Sequence, residues 1–422
     1  MLRRGLPALR TISPSPVRGE VRAPPSKSMM QRALVAALLA KGETHLLNPG
    51  DDCDDVRSAT GAIEVLGATV RRESDRVVVV GGGGLRGRVL DCGESGLCMR
   101  MLAPVAALFD EEITLTGSGS LARRPMGMLC APLEALGVEC RSDGGHAPLV
   151  VRGPMSGGRA EVDASLTSQV LTGLLMALPA CPVGTFLTVP VLKSRPYVQM
   201  TVELLRHFGV QVHHDGTWRQ IIVHGRQRYT AAEYTVEADW SGAAFLLVAG
   251  ALAGEVRVEG LRPDSRQADR AVLGALRQAG ATVRLDETGA TAKGARLRGF
   301  ELDVSESPDL LPPLAALAAH ADGRSRITGV SRTKYKESDR ARVLAEELGK
   351  LGADIRLDDD ALEIAGRRLH GGRVEAHGDH RIAMACAVAA LRAEGEVEID
   401  GAESVSKSYP GFFEALESLA AR

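Results

Sequence analysis

Lys27, Ser28 and Arg32 fall on the first turn and a half of a helix that must begin just after the proline pair Pro24-Pro25. Ser26 stands in the N-cap position. The run Ala33-Leu34-Val35-Ala36-Ala37-Leu38-Leu39-Ala40 that follows is apolar on every side. A helix N-terminus already carries partial positive charge, so cations there are electrostatically misplaced. An anion shared by the free N–H groups, the hydroxyl and the two cations explains the placement. The plainer alternative is a solvated basic turn.

Similar polar clusters open five more apolar helices: Glu94-Ser95-Gly96-Leu97-Cys98-Met99-Arg100, Thr167-Ser168-Gln169, Asp239-Trp240-Ser241-Gly242, Ser307-Pro308-Asp309 and Gly378-Asp379-His380-Arg381. A second set precedes amphipathic helices: Arg123-Arg124-Pro125, Lys193-Ser194-Arg195-Pro196, Lys334 through Arg340, and Ser406-Lys407-Ser408-Tyr409-Pro410, with proline in the first turn of three of them. Such a pattern suits small, multiply anionic ligands, with arginine binding in bidentate fashion and lysine as a point charge. Taken singly, each arginine could equally be a surface ion pair. Asp309 can be a helix cap or a proton-transfer group. Glu337 can be an ion-pair partner of Lys336 and Arg340 or a second such group. Lys27 could share that work if neighbouring cations lower its pKa.

The elements that must position these residues repeat. Helix-ending glycines recur at Gly67, Gly137, Gly209, Gly280 and Gly352, in steps of 70 to 72 residues. Apolar helices begin near Gln31, Met99, Ser168, Ser241, Pro308 and His380, and each leads to a short strand. This implies six copies of one unit: buried helix, strand, surface helix, further strands. The sixth copy ends after its second helix. Its missing strands are expected from Ala8–Ile12 and Val17–Arg22. The fold class is therefore α/β in two domains of three units, residues 24–236 and residues 1–23 plus 237–422. Hinges are expected near Ala23 and Glu237. If the units surround a pseudo-threefold axis, the polar helix ends of each domain face one way.

Composition narrows the function classes. The 422 residues are 45% hydrophobic and 25% charged, with net charge −2 and only 3% aromatics. That gives no global attraction to nucleic acid or membrane and little aromatic surface for base stacking. No apolar run reaches the ~18 residues of a membrane span, and Met1-Leu2-Arg3-Arg4 leads into no apolar signal region. Seven cysteines without a Cys-x-x-Cys pair suggest reduced thiols in a cytoplasmic protein. Gly81-Gly82-Gly83-Gly84 lacks the Lys-Ser/Thr of a P-loop and suggests a flexible hairpin turn. His213-His214 are adjacent and would point apart on a strand. No metal and no organic cofactor are expected.

The motifs Ser26-Lys27-Ser28 with Arg32, Thr167-Ser168-Gln169, Lys336-Glu337-Ser338-Asp339-Arg340, Asp379-His380-Arg381 and Lys407 together resemble those of the 5-enolpyruvylshikimate-3-phosphate synthase family, from about Val17 to the C-terminus. The resemblance implies an inside-out α/β barrel of two similar domains. It implies transfer of an enolpyruvyl group from phosphoenolpyruvate to the 5-hydroxyl of shikimate 3-phosphate, releasing phosphate. On the matching positions, shikimate 3-phosphate would meet Lys27, Ser28, Arg32, Thr167, Ser168, Gln169, Ser194, Asp309 and Lys336. Phosphoenolpyruvate would meet Lys27, Gly96, Arg124, Gln169, Arg340, Arg381 and Lys407. Asp309 and Glu337, assisted by Lys27, would handle protons. The implied partners are these two small molecules alone, and a monomer is expected.

The chain departs from the family pattern at Glu94-Ser95-Gly96-Leu97, where Asn-x-Gly-Thr is usual, and at Arg332, where some members have Asn. An extra carboxylate at Glu94 is unexpected beside phosphoenolpyruvate. The sister transferase acting on UDP-N-acetylglucosamine is the nearest alternative. Its opening motif has Lys-Asn rather than Lys-Ser and its loop carries a reactive Cys, near which Cys130 falls. A non-catalytic metabolite-binding scaffold is the alternative from another class.

Overall fold

A helix with no polar face must be buried all round. The computed structural model, which describes residues 8–50 and 53–420, places the six apolar segments as helices at Lys27–Leu39, Gly96–Ala106, Gln169–Ala177, Trp240–Ala253, Leu311–Ala319 and His380–Ala390. Every residue from Gly96 to Ala106 and from Trp240 to Leu252 is buried. The chain divides into two compact units, Pro25–Val236 and Met1–Pro24 with Glu237–Arg422. Residues 1–7 of the expected second domain lie outside the described residues.

Pro25–Val236 holds three four-stranded sheets. Their orders are Glu233–Thr235, Gly42–Leu47, Arg76–Gly81, Thr69–Arg72; Val89–Asp91, Glu112–Thr116, His146–Arg152, Glu139–Asp143; and Arg159–Glu161, Thr185–Thr188, Gln220–Val223, Val212–His214. In each, the first pair is parallel and the others antiparallel. The helices Gly96–Ala106 and Gln169–Ala177 pack backbone to backbone because Gly173 permits it: a Cβ there would lie 2.6 Å from the Arg100 carbonyl oxygen.

The other unit repeats the plan. Its sheets are Val17–Arg22, Gly254–Glu259, Gly289–Lys293, Thr282–Asp286; Glu301–Asp303, Arg324–Thr328, Ala361–Ala365, Asp354–Leu357; and the three strands Gly372–Glu375, Val397–Asp400, Leu9–Ile12. One continuous apolar core fills this unit and a second fills Pro25–Val236. Among the described residues no helix is long and apolar enough to cross a membrane.

Four local expectations need correction. Leu9–Ile12 joins the sheet of the sixth copy, antiparallel to Val397–Asp400, and Val17 meets that copy through a single bridge to Ala420. Val17–Arg22 instead pairs parallel with Gly254–Glu259 in the fourth copy. That sheet needs a parallel outer strand, just as the first copy takes Glu233–Thr235 beside Gly42–Leu47. Ser26 occupies the cap position, but its hydroxyl lies 3.4 Å from Ser28 Oγ and makes no cap bond. Of Pro125, Pro196 and Pro410, Pro196 alone sits in the first turn of its helix; Arg123 ends a 3-10 turn, Arg124 follows it, and Lys407 ends another 3-10 turn. Gly81–Gly84 is not a hairpin turn but the exit from a strand, and a Cβ at Gly83 would lie 2.2 Å from the Gly67 carbonyl oxygen.

Candidate active site

The first turns of the three buried helices in Pro25–Val236 are tied together by side chains. Ser95 Oγ donates to Gln31 Oε1 at 3.3 Å, and Arg100 Nη1 donates to Gln169 Oε1 at 2.7 Å. Arg32, only 1% exposed, donates to Thr201 Oγ1 (2.9 Å), the Ser28 carbonyl (2.8 Å) and the Tyr197 carbonyl (3.4 Å). All three partners are neutral, and burial lowers its pKa to about 10. A buried guanidinium without a carboxylate asks for an anion nearby. Lys27 Nζ lies 2.7 Å from Asp55 Oδ2.

Gly96 opens its helix where two more guanidiniums converge. A Cβ on it would lie 2.8 Å from Arg124 Cζ and 2.9 Å from Arg100 Nη1. A helix N-terminus, Arg100 and Arg124 thus focus positive potential on one spot that only glycine leaves open. The Glu94 carboxylate accepts from Ser120 N at 2.8 Å, so it supports the turn that leads to Arg124. Thr167 Oγ1 accepts from Gln169 N at 3.3 Å, and Ser168 is buried at the start of the same helix. Ser194 is left-handed, with φ 57°, at the start of Arg195–His207. A non-glycine residue holds that conformation only where its surroundings impose it.

In the other unit, Arg340 is the hub. Its side chain is 1% exposed. It donates to Asp309 Oδ1 (2.6 Å), Glu337 Oε2 (2.6 Å), and Asp379 Oδ2 (2.8 Å) and Oδ1 (3.3 Å). Glu337 stands three residues before Arg340, in the bend that precedes the helix Arg340–Lys350, and the ion-pair reading of Glu337 describes its contact here. Asp309 lies in a 3-10 turn, Pro308–Leu310, and faces cations, not helix N–H groups. Lys336 Nζ is 3.3 Å and Arg381 Nη2 3.4 Å from it. Burial alone would raise the Asp309 carboxyl, but Arg381, Lys336 and Arg340 outweigh it and hold it well below the usual carboxylate range. Asp379 caps its helix by accepting from Arg381 N at 2.9 Å, and Ser338 Oγ donates to it at 3.0 Å. Lys407 Nζ donates to the Gly378 carbonyl at 2.6 Å.

The structure thus brings Asp309, Lys336, Glu337, Arg340 and Arg381 into one bonded cluster. In Pro25–Val236 it links Ser28 with Arg32, and places Gly96 beside Arg124 and Gln169 on Arg100. Sequence reasoning left out Asp55, Arg100, Asp379 and Thr201 as site residues. Arg100 and Asp379 stood inside quoted clusters, but Asp55 and Thr201 carried no local signal. Arg332 donates to the Ser305 carbonyl. Among the described residues no group of three or more His, Cys, Asp or Glu could hold a metal ion.

The profile of the EPSP synthase (3-phosphoshikimate 1-carboxyvinyltransferase) family matches residues 12–416. The 3-phosphoshikimate 1-carboxyvinyltransferase of Halobacterium salinarum (strain ATCC 29341 / DSM 671 / R1) is 44% identical, over 97% of this chain and 98% of its own length. That of Methanosarcina mazei is 39% identical over 98% of both chains. The solved EPSP synthase from Acinetobacter baumannii superposes with a TM-score of 0.82 and 27% identity over 98% of both chains. The enolpyruvyl transferase NikO from Streptomyces tendae, 21% identical with a TM-score of 0.80 over 97% of both chains, shares the fold. With a profile match spanning nearly its whole length and full-length relatives at about two-fifths identity, the chain belongs to the EPSP synthase family.

Proposed function

We propose that the chain transfers the enolpyruvyl group of phosphoenolpyruvate to the 5-hydroxyl of shikimate 3-phosphate, as the names of its relatives describe. The hydroxyl gives up its proton to a protein base as its oxygen bonds to C2 of phosphoenolpyruvate, and the C2=C3 double bond opens as C3 gains a proton from a protein acid, giving a tetrahedral adduct. C3 then loses a proton, the C2–O bond to phosphate breaks, and the enol ether and inorganic phosphate leave. The step balances without an oxidant or reductant, so the reading includes no cofactor.

Lys27, Thr167, Ser168 and Ser194 are assigned to the shikimate phosphate, Ser28 and Arg32 to its carboxylate, and Gln169, Asp309 and Lys336 to its ring hydroxyls. Lys27, Gly96, Arg124, Gln169, Arg340, Arg381 and Lys407 are assigned to phosphoenolpyruvate. The two units, Pro25–Val236 and the remainder, act as the two domains. The protein works as a cytoplasmic monomer, without nucleic acid or membrane.

One observation carries the reading: Asp309 sits ionised among Arg340, Lys336 and Arg381. A carboxylate in that state can accept a proton and cannot donate one. Substrate phosphate and carboxylate groups arriving beside these cations offset their charge and raise the proton affinity of Asp309 as the hydroxyl comes within reach. Glu337, bonded to the same Arg340, and Lys27 complete the proton-handling set. Replacing Asp309 by Ala tests the assignment. Shikimate 3-phosphate binding by calorimetry should stay within about tenfold while turnover falls by at least ~10³-fold. Equal loss of both would make Asp309 a binding residue only.

A further inference from the structure

Glu347 and His377 are given no part in the reaction, yet the buried carboxylate of one is bonded to the half-buried ring of the other. The Glu347 side chain is 2% exposed. It lies on the helix Arg340–Lys350, two turns beyond Arg340 and on the same face. Its carboxylate accepts from His377 Nε2 at 2.8 Å, Glu375 N at 2.8 Å, and Lys350 Nζ at 2.8 and 2.7 Å. Burial works against its charge, but Lys350, His377 and the Glu375 N–H outweigh burial and hold its pKa below the usual value. An ionised carboxylate has no hydrogen to give, so His377 Nε2 carries it.

His377 is left-handed, with φ 51°, and Gly378 follows with φ 66°. A residue with a Cβ stays in that region only where something holds it. The double turn joins the strand Gly372–Glu375 to the helix His380–Ala390. It aims the Gly378 carbonyl at Lys407 Nζ, 2.6 Å away, and sets Asp379 to accept from Arg381 N. The helix Arg340–Lys350 therefore grips the segment 375–379 at both ends, through Glu347 at one and through Arg340 on Asp379 at the other.

We propose that the Glu347–His377 pair is a positioning device for Lys407 and Arg381: it holds the left-handed turn whose carbonyl fixes the Lys407 ammonium. The inference rests on the assignment of those two cations to phosphoenolpyruvate. Neither Glu347 nor His377 touches substrate in that assignment, so both act through the turn.

Steady-state kinetics of the full chain, with each substrate varied in turn, test it. His377→Asn is the informative variant, because Asn tolerates the left-handed region but is too short to reach Glu347. It should raise KM for phosphoenolpyruvate about fivefold, the worth of one hydrogen bond, and leave KM for shikimate 3-phosphate within about twofold. Glu347→Gln keeps an acceptor for His377 and should stay within about twofold of wild type for both substrates, whereas Glu347→Ala should reproduce the His377→Asn split. Lys407→Ala must itself raise KM for phosphoenolpyruvate. If it does, and His377→Asn and Glu347→Ala leave that KM unchanged or raise both KM values alike, the positioning role is overturned while the assignment stands. If Lys407→Ala leaves that KM unchanged, the assignment falls and the inference with it. A lower melting temperature with no difference between the two KM values would show a role in folding only and would also overturn it.

Discussion

Arg340→Met is the perturbation whose cost the structure lets one work out. Methionine keeps much of the length and none of the charge. The substitution removes four short contacts at once, to Asp309, Glu337 and both oxygens of Asp379. Asp309 keeps Lys336 and Arg381. Asp379, with 0% side-chain exposure, keeps hydrogen bonds from Ser338 and the Arg381 backbone, with His380 Nδ1 3.8 Å away. Taking one partner from a buried ion pair costs about 3–5 kcal/mol, because the remaining charge is left in a poor solvent. For a unit of this size each kcal/mol shifts the midpoint by about 2–4 °C, so scanning calorimetry should show a drop of roughly 10 °C. Adding Asp379→Asn removes the stranded charge while keeping its shape, and should recover about half of the loss. The pH dependence has a definite sign. Cations hold Asp309 well below its unfolded pKa. Its stabilising contribution is therefore complete above the unfolded value of ~4 and is lost as pH falls through the folded value. The deficit of Arg340→Met should therefore stay constant from pH 7 down to ~4 and shrink only below that. A midpoint shift under ~2 °C, no recovery on adding Asp379→Asn, or a deficit that grows with acidity would refute this reasoning.

Two further substitutions follow from single contacts. Burial, opposed by a hydrogen bond to the Ala389 carbonyl, lowers the His320 pKa to about 4. The unfolded chain then binds more protons than the folded one between that value and ~6.5, so stability falls as pH drops through this window, by about 2 kcal/mol from pH 7 to 5. His320→Gln should lose less over the same interval in paired urea titrations, and an equal loss would show that another group titrates. Gly119 has φ 52°, and a Cβ there would lie 2.4 Å from the Glu94 carboxylate. Gly119→Ala should therefore cost about 1–3 kcal/mol and weaken phosphoenolpyruvate binding through the turn that presents Arg124. Wild-type stability and affinity in that variant would remove Glu94 from this role.

What was legible in the sequence was what repeats or falls within one helical turn. The glycines at 70- to 72-residue steps marked the copies, and Glu337 and Arg340 stand three residues apart. Pairings set by packing between copies were not legible. Lys27 and Asp55 are 28 residues apart and Arg100 and Gln169 are 69 apart, and no local periodicity reports which helices will be neighbours. The destination of Val17–Arg22 was missed for the same reason, since a strand's own pattern does not say which sheet lacks an outer strand. Glu94 looked like a charge in the wrong place because its partner, the Ser120 N–H, belongs to a turn 26 residues away. Ser26 failed as a cap although its position was right, because a cap also requires the hydroxyl to face the helix N–H groups, and here it lies beside Ser28.

Phosphate release from phosphoenolpyruvate, measured with shikimate 3-phosphate and separately with UDP-N-acetylglucosamine, tests the central claim most directly. Stoichiometric phosphate together with an enolpyruvyl ether of shikimate 3-phosphate, and none with the sugar nucleotide, is the predicted result. Phosphate released with UDP-N-acetylglucosamine alone, or with neither acceptor, would contradict it.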